Sequence, residues 1–250
     1  MIELKKVVKK FNTIDGEKII FDKLDFKVQE GEFISVVGGN GAGKSTFMKI
    51  LTGDIEIEEG EILFDNNNIE NLNSFKRKRF ISKVYQDPSK GTSSSMTVFE
   101  NLSMADNKGN RFGLSLGLNT KRKAYYIDTL KELELGLEEQ LNTEVGLLSG
   151  GQRQAISLIM ATLKTPKLLL LDEHTSALDP KTSKIIMEQT KNIVEKNKLT
   201  TIMITHDLKT ALEYGNRLIM FDKGKIVLDV KGKEKENLTV ECLLKKWGQF

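Results

Sequence analysis

The pattern of apolar and polar positions changes character several times along the chain. Ile19-Ile20-Phe21 and Leu24-Asp25-Phe26-Lys27-Val28 predict strands, bounded by turns at Asp15-Gly16 and Glu30-Gly31. The run Phe33-Ile34-Ser35-Val36-Val37 predicts a short buried strand. A glycine-rich loop follows, then a helix from Ser45 to Leu51 that stops at Gly53. Glu61 to Phe64 predicts another strand, closed by the turn-forming Asp65-Asn66-Asn67-Asn68. From Thr97 to Val145 the spacing becomes helical. Glu100 to Ala105 predicts one helix, and Lys121 to Leu135 a longer one carrying Tyr125, Ile127, Leu130 and Leu133. With no strong strand between them, these residues predict a helical insertion.

After Gly151 the sequence predicts a helix over Gln152 to Leu163 and a fully buried strand at Leu168-Leu169-Leu170-Leu171. Pro180 to Glu195 predicts a helix with Asp179 as N-cap and Pro180 at the first helical position. A strand over Thr200 to Thr205, a helix over Leu208 to Tyr214 and a hairpin around Lys223-Gly224 complete the pattern. Strands alternating with helices imply an α/β core with a mostly parallel sheet, preceded by antiparallel strands and interrupted by the helical insertion. Pro88, Pro166 and Pro180 all fall at element boundaries.

Composition narrows the picture without deciding it. The 250 residues are 39% hydrophobic and 29% charged, which describes a globular chain of one domain or one domain with an insertion. A net charge of +3 does not point to nucleic acid, which favours a concentrated basic face. The run Lys76-Arg77-Lys78-Arg79 is expected as a solvated helix face. Ala155 to Leu163, the longest nearly apolar stretch, is about half of the roughly 20 residues that a membrane-spanning helix needs. The start MIELKKVVKK has no apolar signal core, so a cytosolic location is expected. The single cysteine, Cys242, allows no internal disulfide and is expected in packing rather than redox chemistry. The tail around Cys242 and Trp247 shows no recognisable regulatory domain. No internal repeat is present, so each motif occurs once.

Gly38-Gly39-Asn40-Gly41-Ala42-Gly43-Lys44-Ser45 fits G-x-x-x-x-G-K-[ST] between a predicted strand and a predicted helix. Glycines let successive backbone N–H groups turn toward phosphate oxygens, and the helix N-terminus adds partial positive charge. Lys44 would neutralise the β/γ-phosphates, the Ser45 hydroxyl would hold Mg²⁺, and Thr46 continues the cradle. Asp172 and Glu173 end the second buried strand. The first would reach Mg²⁺, and the second would polarise a water for attack on the γ-phosphate. The loop and the carboxylate pair alone leave GTPases, kinases, helicases and transport ATPases open.

Leu148-Ser149-Gly150-Gly151-Gln152 stands before a helix about 20 residues ahead of Asp172. This resembles the signature motif of ABC ATPases, and the resemblance covers nearly the whole chain. Gln86 in Val84-Tyr85-Gln86-Asp87 looks like the Q-loop glutamine, which contacts Mg²⁺ in that family. Ser176-Ala177-Leu178-Asp179 looks like the D-loop, and His206 in Ile204-Thr205-His206-Asp207 like the switch histidine. Phe11 stands where the family places an aromatic ring on adenine. Taken singly these residues have plainer readings: Gln86 a polar strand end, Phe11 a core ring, His206 a capping histidine, Ser149 an ordinary helix cap.

The resemblance implies a single ABC ATPase domain, with residues 1–92 and 148–250 as catalytic core and 93–147 as helical subdomain. It implies ATP and Mg²⁺, with Lys44, Glu173 and His206 as the catalytic set. Each ATP would be sandwiched between one chain's P-loop and the signature of a second copy, so the functional unit would be a homodimer. It further implies an integral-membrane permease, an extracytoplasmic solute-binding protein, and a place on the cytoplasmic face of the plasma membrane.

One residue departs from the common family pattern. His174 follows the catalytic glutamate, where proline is usual. Asp-Glu-His-Thr at 172–175 resembles ATPase subunits of bacterial importers assigned to tryptophan and other aromatic amino acids. Agreement extends to Ser95–Leu102 with the glycine-containing stretch through Gly117, to Tyr214–Met220 and to Leu238–Glu241. His174 is expected only to shape the turn into the D-loop, the competing idea being a charged imidazole acting on Glu173. An exporter or lipoprotein-extraction ATPase would carry the same motifs. A soluble ABC ATPase of translation or DNA repair usually has two cassettes or a long coiled coil, and a P-loop kinase would lack Leu148 to Gln152.

Overall fold

The computed structural model describes residues 1–14, 16–109 and 117–247, without the side chains of 246 and 247. Asp15 of the expected first turn, part of the stretch leading to Gly117, and the side chain of Trp247 lie outside the described residues. In chain order the elements are β1 (Ile2–Thr13), β2 (Gly16–Val28), β3 (Phe33–Gly38), α1 (Lys44–Thr52), β4 (Glu59–Phe64), β5 (Asn67–Asn68), α2 (Ser74–Arg77) and β6 (Ile81–Val84). There follow α3 (Val98–Asp106), α4 (Lys123–Lys131), α5 (Gly150–Thr162), β7 (Leu168–Asp172) and α6 (Pro180–Asn197). The chain closes with β8 (Thr200–Ile204), α7 (Leu208–Glu213), β9 (Arg217–Asp222), β10 (Lys225–Lys231), α8 (Lys233–Glu236) and α9 (Val240–Trp247).

These elements form two compact units, Met1–Ile81 with Leu199–Phe250, and Ser82–Lys198. In the first, β1 pairs antiparallel with β2 and β4, and β5 extends β4. Beside this antiparallel sheet, β3 runs parallel to both β8 and β9, while β10 folds back on β9 as a hairpin. All of Phe33–Gly38 is buried, as a parallel strand covered on both faces requires. Val37, Ala211, Leu218, Met220, Leu228 and Leu243 pack into one apolar cluster of this unit.

The second unit is mainly helical, with β6 and β7 as neighbouring strands. Its core joins Val98 and Leu102 of α3, Tyr126 and Leu130 of α4, Ala155, Ile156 and Ile159 of α5, and Ile186 of α6. Thr97 caps α3 in a reciprocal box with Glu100. The long helix expected over Lys121 to Leu135 is shorter: a 3₁₀ turn at Thr120–Arg122 precedes α4, which ends at Lys131. Arg122 Nε is 2.7 Å from Asp106 Oδ2, which fixes the entry. At the exit Leu133 is buried while Glu134 turns through a positive φ of 55°.

Two further expectations are corrected. Arg77 is buried rather than solvated. Its guanidinium donates to the carbonyls of Ile50, Leu51, Glu70 and Leu72, and so ties the C-terminal turn of α1 to the segment before α2. Cys242 is exposed rather than packed, because its neighbour Leu243 is the residue of α9 that enters the core. Its thiol is pulled below the usual cysteine range by hydrogen bonding with Thr239.

Candidate functional site

In the first unit, β3 delivers the glycine-rich loop to the start of α1. Gly43 caps α1 with φ 105°, and no side chain caps the helix. A Cβ at Gly43 would fall 2.9 Å from the Phe21 ring, so backbone angle and packing both demand glycine there. A Cβ at Gly38 would meet the Phe221 carbonyl oxygen at 2.4 Å. Ala42 N donates to Gly39 O at 3.2 Å, and Ala42 O accepts from Gly224 N at 3.1 Å, so the loop is anchored from both sides. Lys44 is buried, and its ammonium donates to Gly38 O at 2.7 Å and Gly39 O at 3.0 Å. Asn40, Gly41 and Ser45 are exposed, Thr46 is half-buried, and Ala42 and Gly43 are buried.

The first turn of α1 carries no acidic residue. A helix N-terminus with neither a side-chain cap nor a negative charge suits an anion, and the loop therefore fits a polyphosphate. His206 lies at the same end of the sheet. Val36 pairs with Ile204, and Gly38 and His206 each stand two residues further on. The exposed His206 precedes α7, whose N-cap Asp207 accepts from Lys209 N at 3.0 Å. Phe11, on β1 opposite Lys18, is 38% exposed, with the Lys9 ammonium 5.0 Å from its ring centroid. An exposed ring leaves a face available for stacking.

In the second unit, β7 is buried through Leu171 and ends at Asp172. Asp172 Oδ2 is paired with the Lys83 ammonium at 2.8 Å. Glu173 has φ 48°, a left-handed conformation uncommon for a non-glycine residue and often found where function holds the backbone. Ser176 N and Ser176 Oγ both donate to Glu173 O, at 3.0 and 2.9 Å, and close that turn.

The His174 ring turns into the protein. It is buried, with Nε2 3.1 Å from Thr190 Oγ1 on α6. That hydroxyl donates to Ile186 O at 2.7 Å, so it accepts from the histidine, which assigns the proton of the neutral ring to Nε2. Burial pushes the imidazole down from its usual 6.5 to about 4.

Gln86 is exposed just beyond β6. The carbonyl of its neighbour Tyr85 accepts from Gln154 Nε2 at 3.1 Å. At the head of α5, Ser149 and Gln152 form a reciprocal capping box: Ser149 Oγ accepts from Gln152 N at 3.3 Å, and Gln152 Oε1 accepts from Ser149 N at 3.1 Å. The two glycines between them differ. A Cβ at Gly150 would rest 3.6 Å from Leu178 Cδ2, an ordinary contact, whereas one at Gly151 would strike Thr182 Cγ2 at 2.3 Å.

The first unit thus carries Phe11, the loop from Gly38 to Thr46, and His206. The second carries Gln86, Asp172, Glu173 and Ser149 to Gln152. Sequence reasoning missed Lys83 and Gln154. A lysine between the β-branched Ile81 and Val84, just ahead of Gln86, was the available signal for the first. The second lies only two residues beyond the motif. Among the described residues no cluster of three or more His, Cys, Asp or Glu side chains could hold a metal by itself. A hydroxyl and a carboxylate such as Ser45 and Asp172 are hard oxygen donors, the kind magnesium uses when phosphates complete its shell.

A family model described as ABC transporter matches residues 21–176. A tyrosine transport ATP-binding protein of Clostridioides difficile (strain R20291) is 50% identical over 249 residues, 99% of this chain and 98% of that one. A spermidine/putrescine import ATP-binding protein of Mycoplasma mycoides is 34% identical over 227 residues, 90% of this chain, which spans 60% of that relative. Among solved structures, a dimeric ATP-binding cassette in a post-hydrolysis state, bound to ADP and Pi, superposes with a TM-score of 0.79 at 29% identity. The match covers 92% of this chain and 98% of that one.

Proposed function

The chain belongs to the ABC transporter family as an ATP-binding, ATP-hydrolysing subunit with the family's α/β P-loop fold, and we propose that it powers import of an aromatic amino acid. The observation that carries the solute class is the near full-length 50% identity to the tyrosine transport protein. The import direction is supported by the same relative and by the polyamine-import relative.

In this reading the chain is one ATPase domain, with residues 93–147 as its helical subdomain. It works as a homodimer on the cytoplasmic face of the plasma membrane, beneath a separate permease served by an external solute-binding protein. Among the described residues no helix is long and apolar enough to cross a membrane.

The residues divide the chemistry as follows. Phe11 stacks on adenine. The N–H groups of the loop and of the start of α1 hold the phosphates, and Lys44 exchanges its carbonyl partners for β/γ-phosphate oxygens. Ser45, Gln86 and Asp172 hold magnesium, which neutralises charge developing on the phosphates. Glu173 orients and polarises the attacking water, and His206 donates to the γ-phosphate. Ser149, Gly150, Gly151 and Gln152 of a second copy close the site on its far side.

Uptake of labelled tyrosine, phenylalanine and tryptophan tests the reading. Cells lacking this chain should lose uptake of at least one, and restoring the chain with Glu173→Gln should not recover it. Unchanged uptake of all three overturns the solute class.

A further inference from the structure

Asp172 is not held by backbone alone. Lys83 stands on the neighbouring strand β6 with its ammonium 2.8 Å from Asp172 Oδ2, and the two side chains are only 12% and 24% exposed. The same ammonium lies 4.9 Å from the centroid of the Tyr85 ring. The cation is thus fixed by a carboxylate and by an aromatic face. A pair this sheltered is screened far less by salt than a surface bridge. On β6 the flanking Ser82 and Val84 are buried, so Lys83 is the cation that this strand presents to the end of β7.

We propose that Lys83 is a positioning residue that sets the divalent-cation affinity of Asp172. Its ammonium holds the carboxylate in one orientation and competes with magnesium for the carboxylate's charge. This rests on the reading of Asp172 as a magnesium-holding residue. A carboxylate with a cation at hydrogen-bonding distance offers little net negative charge to a second cation, and positive charges a few ångströms apart repel strongly in sheltered surroundings. Magnesium alone then binds weakly, and the phosphates must bring the remaining negative charge. The consequence is an order of events: the metal enters together with ATP rather than ahead of it.

The test measures magnesium half-saturation through the binding of a fluorescent ATP analogue to the full chain. Wild type is compared with Lys83→Met, Lys83→Arg and Asp172→Asn, each checked for folding by thermal melt. Lys83→Met should lower the half-saturating magnesium concentration by about tenfold, leaving analogue affinity without metal unchanged. Lys83→Arg, which keeps the charge, should stay near wild type. Binding of Mn²⁺ without nucleotide, followed by electron paramagnetic resonance, should strengthen in Lys83→Met. If Lys83→Met does not fold, Lys83→Gln takes its place. An unchanged or raised half-saturation in the neutral variant, with Asp172→Asn clearly weakened, overturns the inference and leaves Asp172 as a metal residue. An unchanged Asp172→Asn overturns the reading beneath it and the inference with it.

Discussion

α1 and α5 both begin at glycine-flanked motifs suited to phosphate, but their ends are finished differently. The start of α1 has a left-handed glycine cap, no side-chain cap and a buried lysine folded onto the loop's own carbonyls. The start of α5 is closed by the Ser149–Gln152 box. The first is built to receive an anion within its own chain. The second is already satisfied, and a ligand there must draw the Ser149 hydroxyl away from its cap or share it. In the proposed reading a second copy completes the site, and a self-capped terminus would then engage only when that copy is pressed against it.

The largest effect should come from freezing the state in which both starts are engaged. Glu173→Gln should reduce ATP turnover by about a thousandfold while ATP still binds, and size exclusion should show an ATP-dependent doubling of mass. ATP binding without that doubling would break the comparison, since the α5 start would have no partner to meet. Lys44→Ala should lower turnover by at least about a hundredfold and weaken ATP binding, because the α1 start loses its charge. Ser149→Arg should leave ATP binding by the isolated chain intact but prevent the trapped dimer in the Glu173→Gln background. Mixing Lys44→Ala and Ser149→Arg chains should restore part of the turnover that either lacks alone.

Gly151→Ala and Gly150→Ala sharpen the same contrast more gently. The first should destabilise the fold by about 1–3 kcal/mol in urea unfolding, because the new methyl meets Thr182. The second should melt near wild type and show its defect in dimer formation.

The smallest effect concerns His174. Its folded value of about 4 lies below the ordinary 6.5, so the unfolded chain takes up the proton first as pH falls. Stability from this residue is intact above about pH 6.5 and declines toward pH 4, reaching a loss of about 2 kcal/mol near pH 5. Unfolding of wild type and His174→Gln at pH 7.5 and pH 5 should reveal that extra acid sensitivity only in wild type. Equal sensitivity would remove the buried neutral ring from the account.

Much of this was legible in the sequence because it is local. β3, the loop and α1 follow from a β-branched run, a glycine spacing and a helix stop at Gly53, and each falls within a residue or two of its expected bounds. The heads of α5 and α6 carry their caps as Ser149 and Asp179. What was not legible depends on distant partners. Arg77 reads as one more surface charge until the carbonyls of Ile50 and Leu51 are brought to it. Lys83 reads as a strand irregularity until β7 lies alongside. His174 has a chemistry apparent from its type, but its neutrality comes from burial, and its tautomer from Thr190 on a helix that local pattern cannot fold over it.

Arg77 also has a consequence for α1 as an electrical object. The C-terminal end of a helix is its negative pole, and a guanidinium bonded to the Ile50 and Leu51 carbonyls discharges that pole. The opposite pole, at the glycine-rich loop, keeps its full positive character. A lysine at position 77 would match the charge but reach fewer of the four carbonyls, since only a planar fork has donors pointing several ways at once. Conserving charge at that position would therefore not conserve what the residue does for a loop at the far end of the helix.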